Sequence, residues 1–236
     1  MRFNNFWLEV CLIGFIAVIS LNLKAIYASS ERNQNENRTV HQQPRYYHNI
    51  QRREPNRTVT SGAVRGQCPG NNKRIFLQIL APDDHLGLTA QTHPTFFWYL
   101  NLEENQSRTI KFTLVEVGRT EPIFEQIFIA DGSPSLKLMQ FTLPDTVEPL
   151  KINQTYRWTV TVVCNLQRPS SNYFSSTMFK VISKRNQSFN YSLETNAILS
   201  ARQGIWYDSL YYAYSSGNSQ LFAQLLKEVN IFLFTE

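Results

Sequence analysis

The sequence predicts a mainly β protein, a seven-stranded antiparallel sandwich followed by a C-terminal α-helical hairpin. Three observations carry this. Aromatic residues make up 13% and charged residues 17% of the 236-residue chain, and that balance can bury a sizeable core rich in strand-forming Phe, Tyr, Val and Thr. Between residues 73 and 183, apolar residues alternate in short runs separated by turn residues. After residue 184 the apolar spacing widens to three and four, the period of a helix. The same composition excludes a collagen-like chain, a coiled coil and a multi-span membrane protein.

The elements follow in order. Residues 1–28 read as a secretory signal peptide. Arg2 precedes an apolar run over 10–23, broken by Ser20 and Asn22, and small residues lead to Ala28. An uncleaved membrane anchor is the alternative, although the run is short for a span of about 20 residues. Residues 29–66 read as a disordered basic linker rich in Asn, Gln and Arg. They carry seven Arg and three Glu, whereas residues 67–236 carry 14 basic and 14 acidic groups. The alkaline pI therefore belongs to the arm, and a neutral body argues against a nucleic-acid-binding fold. The arm itself could touch an anionic polymer.

Residues 67–185 form the expected sandwich. Ile75, Leu77 and Ile79 share a face, and a bulky run over 95–100 follows His93 and Pro94. Ile110, Phe112 and Leu114 alternate with Lys111 and Thr113. Ile123, Ile127 and Ile129 share a face broken by Glu125. Met139, Phe141 and Leu143 lead to Pro144. Tyr156, Trp158, Val160, Val162 and Cys164 share one face, opposite Arg157, Thr159 and Thr161, and residues 174–183 give the last run.

Two stretches resemble a fibronectin type III or immunoglobulin-like sandwich. Residues 94–98, ending in Trp98, look like its second strand, with Trp98 in the core. Residues 150–158 look like its tyrosine corner, in which the Tyr156 hydroxyl bonds upstream backbone and pins the entry to the sixth strand beside Trp158. In that topology the start of strand one and the end of strand six meet at one pole. Cys68 and Cys164 lie there and are the two cysteines left once a signal carrying Cys11 is removed, so an exported chain is expected to join them. The bridge would close a loop of about 97 residues, worth roughly 4–5 kcal/mol on the loop-entropy scale.

Residues 186–236 are expected as a helical appendage packed on the sandwich. Leu193, Ala197 and Ala201, then Trp206, Leu210 and Ala213, keep a helical period. Gly204 marks a break or a close backbone approach before Trp206. After a turn at 215–218, Ser219 is placed to cap a helix with a stripe of Leu221, Leu225, Leu226 and Val229.

Several stretches together resemble a family catalogued as domain of unknown function 928, found mainly in cyanobacteria: residues 80–82 and 86–89, 93–99, 150–164, and 204–210. The resemblance implies an exported protein, periplasmic or extracellular, with no assigned reaction and no catalytic residues to carry over. The apolar end at 231–236 departs from the pattern.

Chemistry-bearing residues are few. Asp83, Asp84, His85 and His93 could bind a divalent cation or support acid–base work, which would make the chain a hydrolase or metal-dependent enzyme, but their spacing matches no metal signature and suits turn capping equally well. No nucleophile elbow, phosphate loop or zinc motif occurs, and no motif asks for a cofactor. Six N-x-S/T sequons occur, at Asn37, Asn56, Asn105, Asn153, Asn186 and Asn190, in a chain with 20 Asn, a richness that itself generates such sites. Phe97, Tyr99, Tyr207, Tyr211, Tyr212 and Tyr214 are placed either to form a ligand-facing patch or to dock the helices. The expected function is an exported, non-enzymatic binding module for a protein or an envelope polymer, with membrane contact only through an uncleaved signal.

Overall fold

A computed structural model describes residues 45–47, 59–60, 75–102, 107–131, 133–183 and 191–231. The chain divides into Met1–Gln43 and Pro44–Glu236, and every described residue belongs to the second unit. The signal peptide, Cys11, Cys68, most of the arm, and the sequons at Asn37, Asn56, Asn105, Asn186 and Asn190 fall outside the described residues, as does the end at 232–236.

Two sheets build the body. A three-stranded sheet runs β2 (Phe76–Ile79), β4 (Thr95–Leu102), β7 (Ser133–Thr142). A six-stranded sheet runs β1 (Val59–Thr60), β9 (Tyr173–Val181), β8 (Thr155–Val163), β5 (Arg108–Glu116), β6 (Phe124–Ala130), with β3 (Gly87–Thr89) also on β9. The seven expected strands correspond to β2 and β4–β9. Two short additions correct the all-antiparallel expectation. β3 pairs with β9 in parallel, and β1 extends the same edge. Runs of two and three residues are too short to display an alternation that sequence reading can detect.

Alternation decides the inner faces. Ile110, Phe112 and Leu114 of β5 and Tyr156, Trp158, Val160 and Val162 of β8 are buried, while Lys111, Thr113, Thr159 and Thr161 between them are half-buried and Arg157 is exposed. Phe96 of β4 reaches across the gap, with ring centroids 5.2 Å from Phe112, 4.8 Å from Trp158 and 5.3 Å from Phe179. The two sheets thus share one aromatic core, in which each fully buried large side chain contributes about 1.5–3 kcal/mol.

β6 corrects an expectation about faces. Ile127 and Ile129 are 60% and 72% exposed, and the inward residues are Phe124 and Phe128, packed against Phe141 and Trp98. Glu125 lies on the isoleucine face. Turning that face inward would bury its carboxylate, whereas the phenylalanine face carries no charge.

Among the described residues the appendage holds three helices rather than a hairpin: α1 (Leu193–Arg202), α2 (Trp206–Ser215) and α3 (Ser219–Glu228). The break between α1 and α2 falls at Gly204, whose φ of +74° suits a residue without a Cβ. Ser192 caps α1 through the Thr195 N–H, and Asn218, not Ser219, caps α3 by accepting from the Leu221 N–H. The helices cover the outer face of the three-stranded sheet. Phe97 of β4 packs there on Tyr214 and Phe222, with centroids at 5.1 and 5.9 Å, so β4 is buried on both faces. No helix among the described residues is long and apolar enough to cross a membrane.

Candidate functional site

The first turn of α2 explains why residues 204–210 carry so many distinctive side chains. Trp206, Tyr207, Asp208, Ser209 and Leu210 are all buried. The Trp206 Nε1–H donates to the Leu80 carbonyl at 3.0 Å. Tyr207 enters the aromatic core beside Phe96 and Phe179, and its hydroxyl accepts from the Trp158 Nε1–H at 2.9 Å. Gly87 makes room for that ring, since a Cβ there would lie 2.8 Å from it. The Asp208 carboxylate accepts from the Thr89 hydroxyl at 2.6 Å and the Ala90 N–H at 3.2 Å, which locks β3 to α2. Burial pushes the Tyr207 phenol well above its usual range, and the Trp158 bond offsets only part of this. These buried polar groups hold the fold together.

The Asp/His loop is divided by β3 into two unrelated places. The His85 Nδ1 meets Asp84 Oδ1 at 2.6 Å and its Nε2 meets the Tyr46 hydroxyl at 2.8 Å. A carboxylate can only accept, so in the neutral ring Nδ1 carries the proton and Nε2 accepts from the phenol. His93 instead bonds Thr92 Oγ1 through Nδ1 at 3.3 Å and the Val147 carbonyl through Nε2 at 2.9 Å. All four ring nitrogens are thus engaged by other groups, and Asp83 is exposed in the loop. Among the described residues no group of three or more His, Cys, Asp or Glu is arranged to hold a metal ion. The structure does not gather Asp83, Asp84, His85 and His93 into one site.

Trp98, Tyr156, Trp158 and Trp206 all lie in the core, and the Tyr156 hydroxyl accepts from the Lys151 N–H at 2.9 Å, five residues upstream. Cys164 stands half-buried just past the end of β8. The aromatic set is split rather than gathered into a patch. Phe97, Tyr99 and Tyr207 are buried. Tyr211 and Tyr214 are partly exposed on α2, and Tyr212 lies half-buried within reach of Gln91.

Sequence reading missed Tyr46. The arm expected to be disordered over 29–66 is corrected at two places, the β1 pairing and residues 45–47. Tyr46 is 7% exposed between exposed Arg45 and Tyr47. Its ring stacks on His85 and meets Trp206 edge-on at 5.1 Å, and the Tyr47 N–H donates to the Ala201 carbonyl at 2.9 Å. Burial, with Tyr207 and Asp84 nearby, pushes its phenol far up. The available signal was an aromatic pair after Pro44 in a polar arm.

The remaining surface of note is the outer face of the six-stranded sheet. The register aligns Glu125, Thr113, Thr159 and Ser176 in one row across four strands, and Ile127, Lys111 and Thr161 in the next. Lys111 Nζ donates to Glu125 Oε1 at 2.8 Å, Thr113 Oγ1 donates to the same oxygen at 3.2 Å, and Thr159 Oγ1 donates to Ser176 Oγ at 2.9 Å. The Lys111 hydrogen bond holds the Glu125 carboxyl below its ordinary range. At the β6 edge, a hollow of about 170 Å³ lies between Ile129, Leu100, Leu102 and Met139, with Asp131 and Lys137 on its wall. A cavity of about this size accepts a benzene-sized group. The face offers hydroxyls, methyls, the Lys111–Glu125 pair, the exposed Arg157 guanidinium and an apolar edge.

Comparison with known proteins places these features. Among curated proteins none matches the chain. Several solved structures resemble it distantly, two of them as follows. The sensor domain of the anti-sigma factor RsgI4 from Pseudobacteroides cellulosolvens is 17% identical, with 49% of this chain and 80% of that one covered at a TM-score of 0.31. The archaeal flagellum of Methanospirillum hungatei strain JF1 is 9% identical, with 78% and 97% covered at a TM-score of 0.24. A family described as "Domain of Unknown Function (DUF928)" matches residues 60–231, which span both sheets and all three helices, and the chain belongs to that family.

Proposed function

We propose that this protein is an exported, non-enzymatic interaction module. Its body is read as a fibronectin type III-like sandwich, which the order β2-β4-β7 against β6-β5-β8-β9 and the Tyr156 corner support. One observation carries the functional reading. The helices cover one sheet, while the edge of the other presents Ile127 and Ile129 at 60% and 72% exposure beside the β6 hollow. Large aliphatic side chains exposed together mark a binding surface more often than isolated ones do. A partner's apolar side chain would fill the hollow while its backbone or polar groups meet the Thr-rich rows.

The test is cross-linking of the purified chain to envelope material from its source, with wild type set against Ile127→Glu with Ile129→Glu. A species captured by wild type, competed by unlabelled chain and lost at least about tenfold in the variant supports the reading. Equal capture by both, with both folded, refutes the β6 edge. Export and the pairing of Cys68 with Cys164 belong to the same proposal. They predict a mature mass starting after Ala28 and lower by two hydrogens than after reduction.

A further inference from the structure

We propose that the cleft between the loop at 82–86 and the α1–α2 junction is a docking site for a tyrosine-bearing extended peptide, filled in cis by the chain's own arm at residues 45–47. This stands independently of the β6 reading.

The seat is organised by groups other than its occupant. Asp84 orients the His85 ring, the Leu80 carbonyl holds the Trp206 indole, and Gly204 turns at φ +74°. Against it the arm inserts one side chain. Tyr46 is 7% exposed, whereas its neighbour Tyr47 is 62% exposed. Recognition uses both parts of the tyrosine. Its ring lies between His85 and Trp206, and its hydroxyl meets His85 Nε2 at 2.8 Å and comes within 3.4 Å of the Gly204 carbonyl. The next peptide unit is read as backbone. The Tyr47 N–H donates to the Ala201 carbonyl, and a Cβ at Gly204 would lie 2.5 Å from the Tyr47 carbonyl oxygen. One buried aromatic anchor with a polar tip, flanked by backbone hydrogen bonding, is how extended peptides are held in grooves. The family match begins at residue 60, so the seat lies inside the matched stretch and the plug outside it.

Linkage gives the affinity scale. Eleven residues separate Tyr47 from β1, and a tether of that length sets an effective concentration on the order of 1 mM. A seat filled in cis therefore requires a dissociation constant in trans below about 1 mM.

The experiment uses the full chain carrying Tyr46→Ala, which leaves the seat's own side chains in place, and a labelled peptide of residues 41–52 as the probe. The peptide is expected to bind this variant with a constant below about 1 mM, and to bind wild type at least about tenfold more weakly, because the arm competes. A peptide with Ala at position 46 should lose at least about tenfold, the factor of one buried aromatic side chain. In parallel, trypsin should cut after Arg45 about tenfold faster in Tyr46→Ala than in wild type, with other sites unchanged. Should that variant fail to fold, Tyr46→Phe carries the same measurements with a smaller gain in cleavage. Absence of saturation at several millimolar, equal binding to wild type and variant, or an unchanged cut after Arg45 would each overturn the proposal.

Discussion

The outer faces of the two sheets differ in what their sequences send outward. The three-stranded sheet points Phe97 and Tyr99 away from the shared core, and both are buried, Phe97 beneath Tyr214 and Phe222 of the helices. The six-stranded sheet sends out Lys111, Thr113, Arg157, Thr159 and Thr161, and its rows are tied by side-chain hydrogen bonds. A strand that is apolar on both sides demands a second layer, and a strand that alternates does not. The helical appendage is thus a structural consequence of β4. The opposite face, with the β6 edge, carries no helical layer among the described residues and is the surface proposed for a partner.

The largest test of this contrast truncates one residue on each face. Phe97→Ala should destabilise the chain by about 3–5 kcal/mol, the range for a buried Phe cut to Ala. Thr159→Ala removes one half-buried hydroxyl bond and should cost roughly 0.5–1.5 kcal/mol. Urea midpoints of the two variants measure the difference, and similar midpoints would break the comparison.

A smaller effect is expected where α2 enters the core. Tyr207→Phe keeps the ring but leaves the buried Trp158 Nε1–H without its acceptor, a loss of about 1–3 kcal/mol. It also changes the pH dependence. The phenols of Tyr207 and Tyr46 ionise in the folded protein only well above the usual value near 10. Their contribution is fully present below about pH 10. As pH rises further the unfolded chain releases protons that the folded chain retains, so stability falls. The variant should show a shallower alkaline fall in melting temperature, and an unchanged slope would contradict the burial of that hydroxyl.

The same contrast explains what the sequence could reveal. The strands β5 and β8 were legible because one face of each is apolar and the other polar. The tyrosine corner was legible because its bond spans five residues. β6 was not legible from periodicity, since Ile127 and Ile129 on one side compete with Phe124 and Phe128 on the other, and only the position of Glu125 separates them. The Tyr46 seat was illegible for another reason. Its partners His85 and Gly204 lie 39 and 158 residues away, and no local pattern records a contact of that range. His85 and His93 show the opposite case. They are close in sequence, but β3 runs between them and each ring is satisfied elsewhere.

The smallest expected effect lies on the open face itself. Lys111 and Glu125 are 37% and 42% exposed at the side chain, so solvent screens their pairing and its contribution is on the order of 0.2–1 kcal/mol. Because Lys111 lowers the Glu125 carboxyl below its usual 4.5, the contribution is present above that value and disappears as pH falls through the folded-state value. Glu125→Gln should therefore lower stability by a few tenths of a kcal/mol at pH 7. The gap should close in acid and in about 1 M salt, where the Debye length is about 3 Å. A cost above about 2 kcal/mol at pH 7, insensitive to salt, would mean that the face is covered rather than open, and the placement of the partner surface at β6 would have to be abandoned.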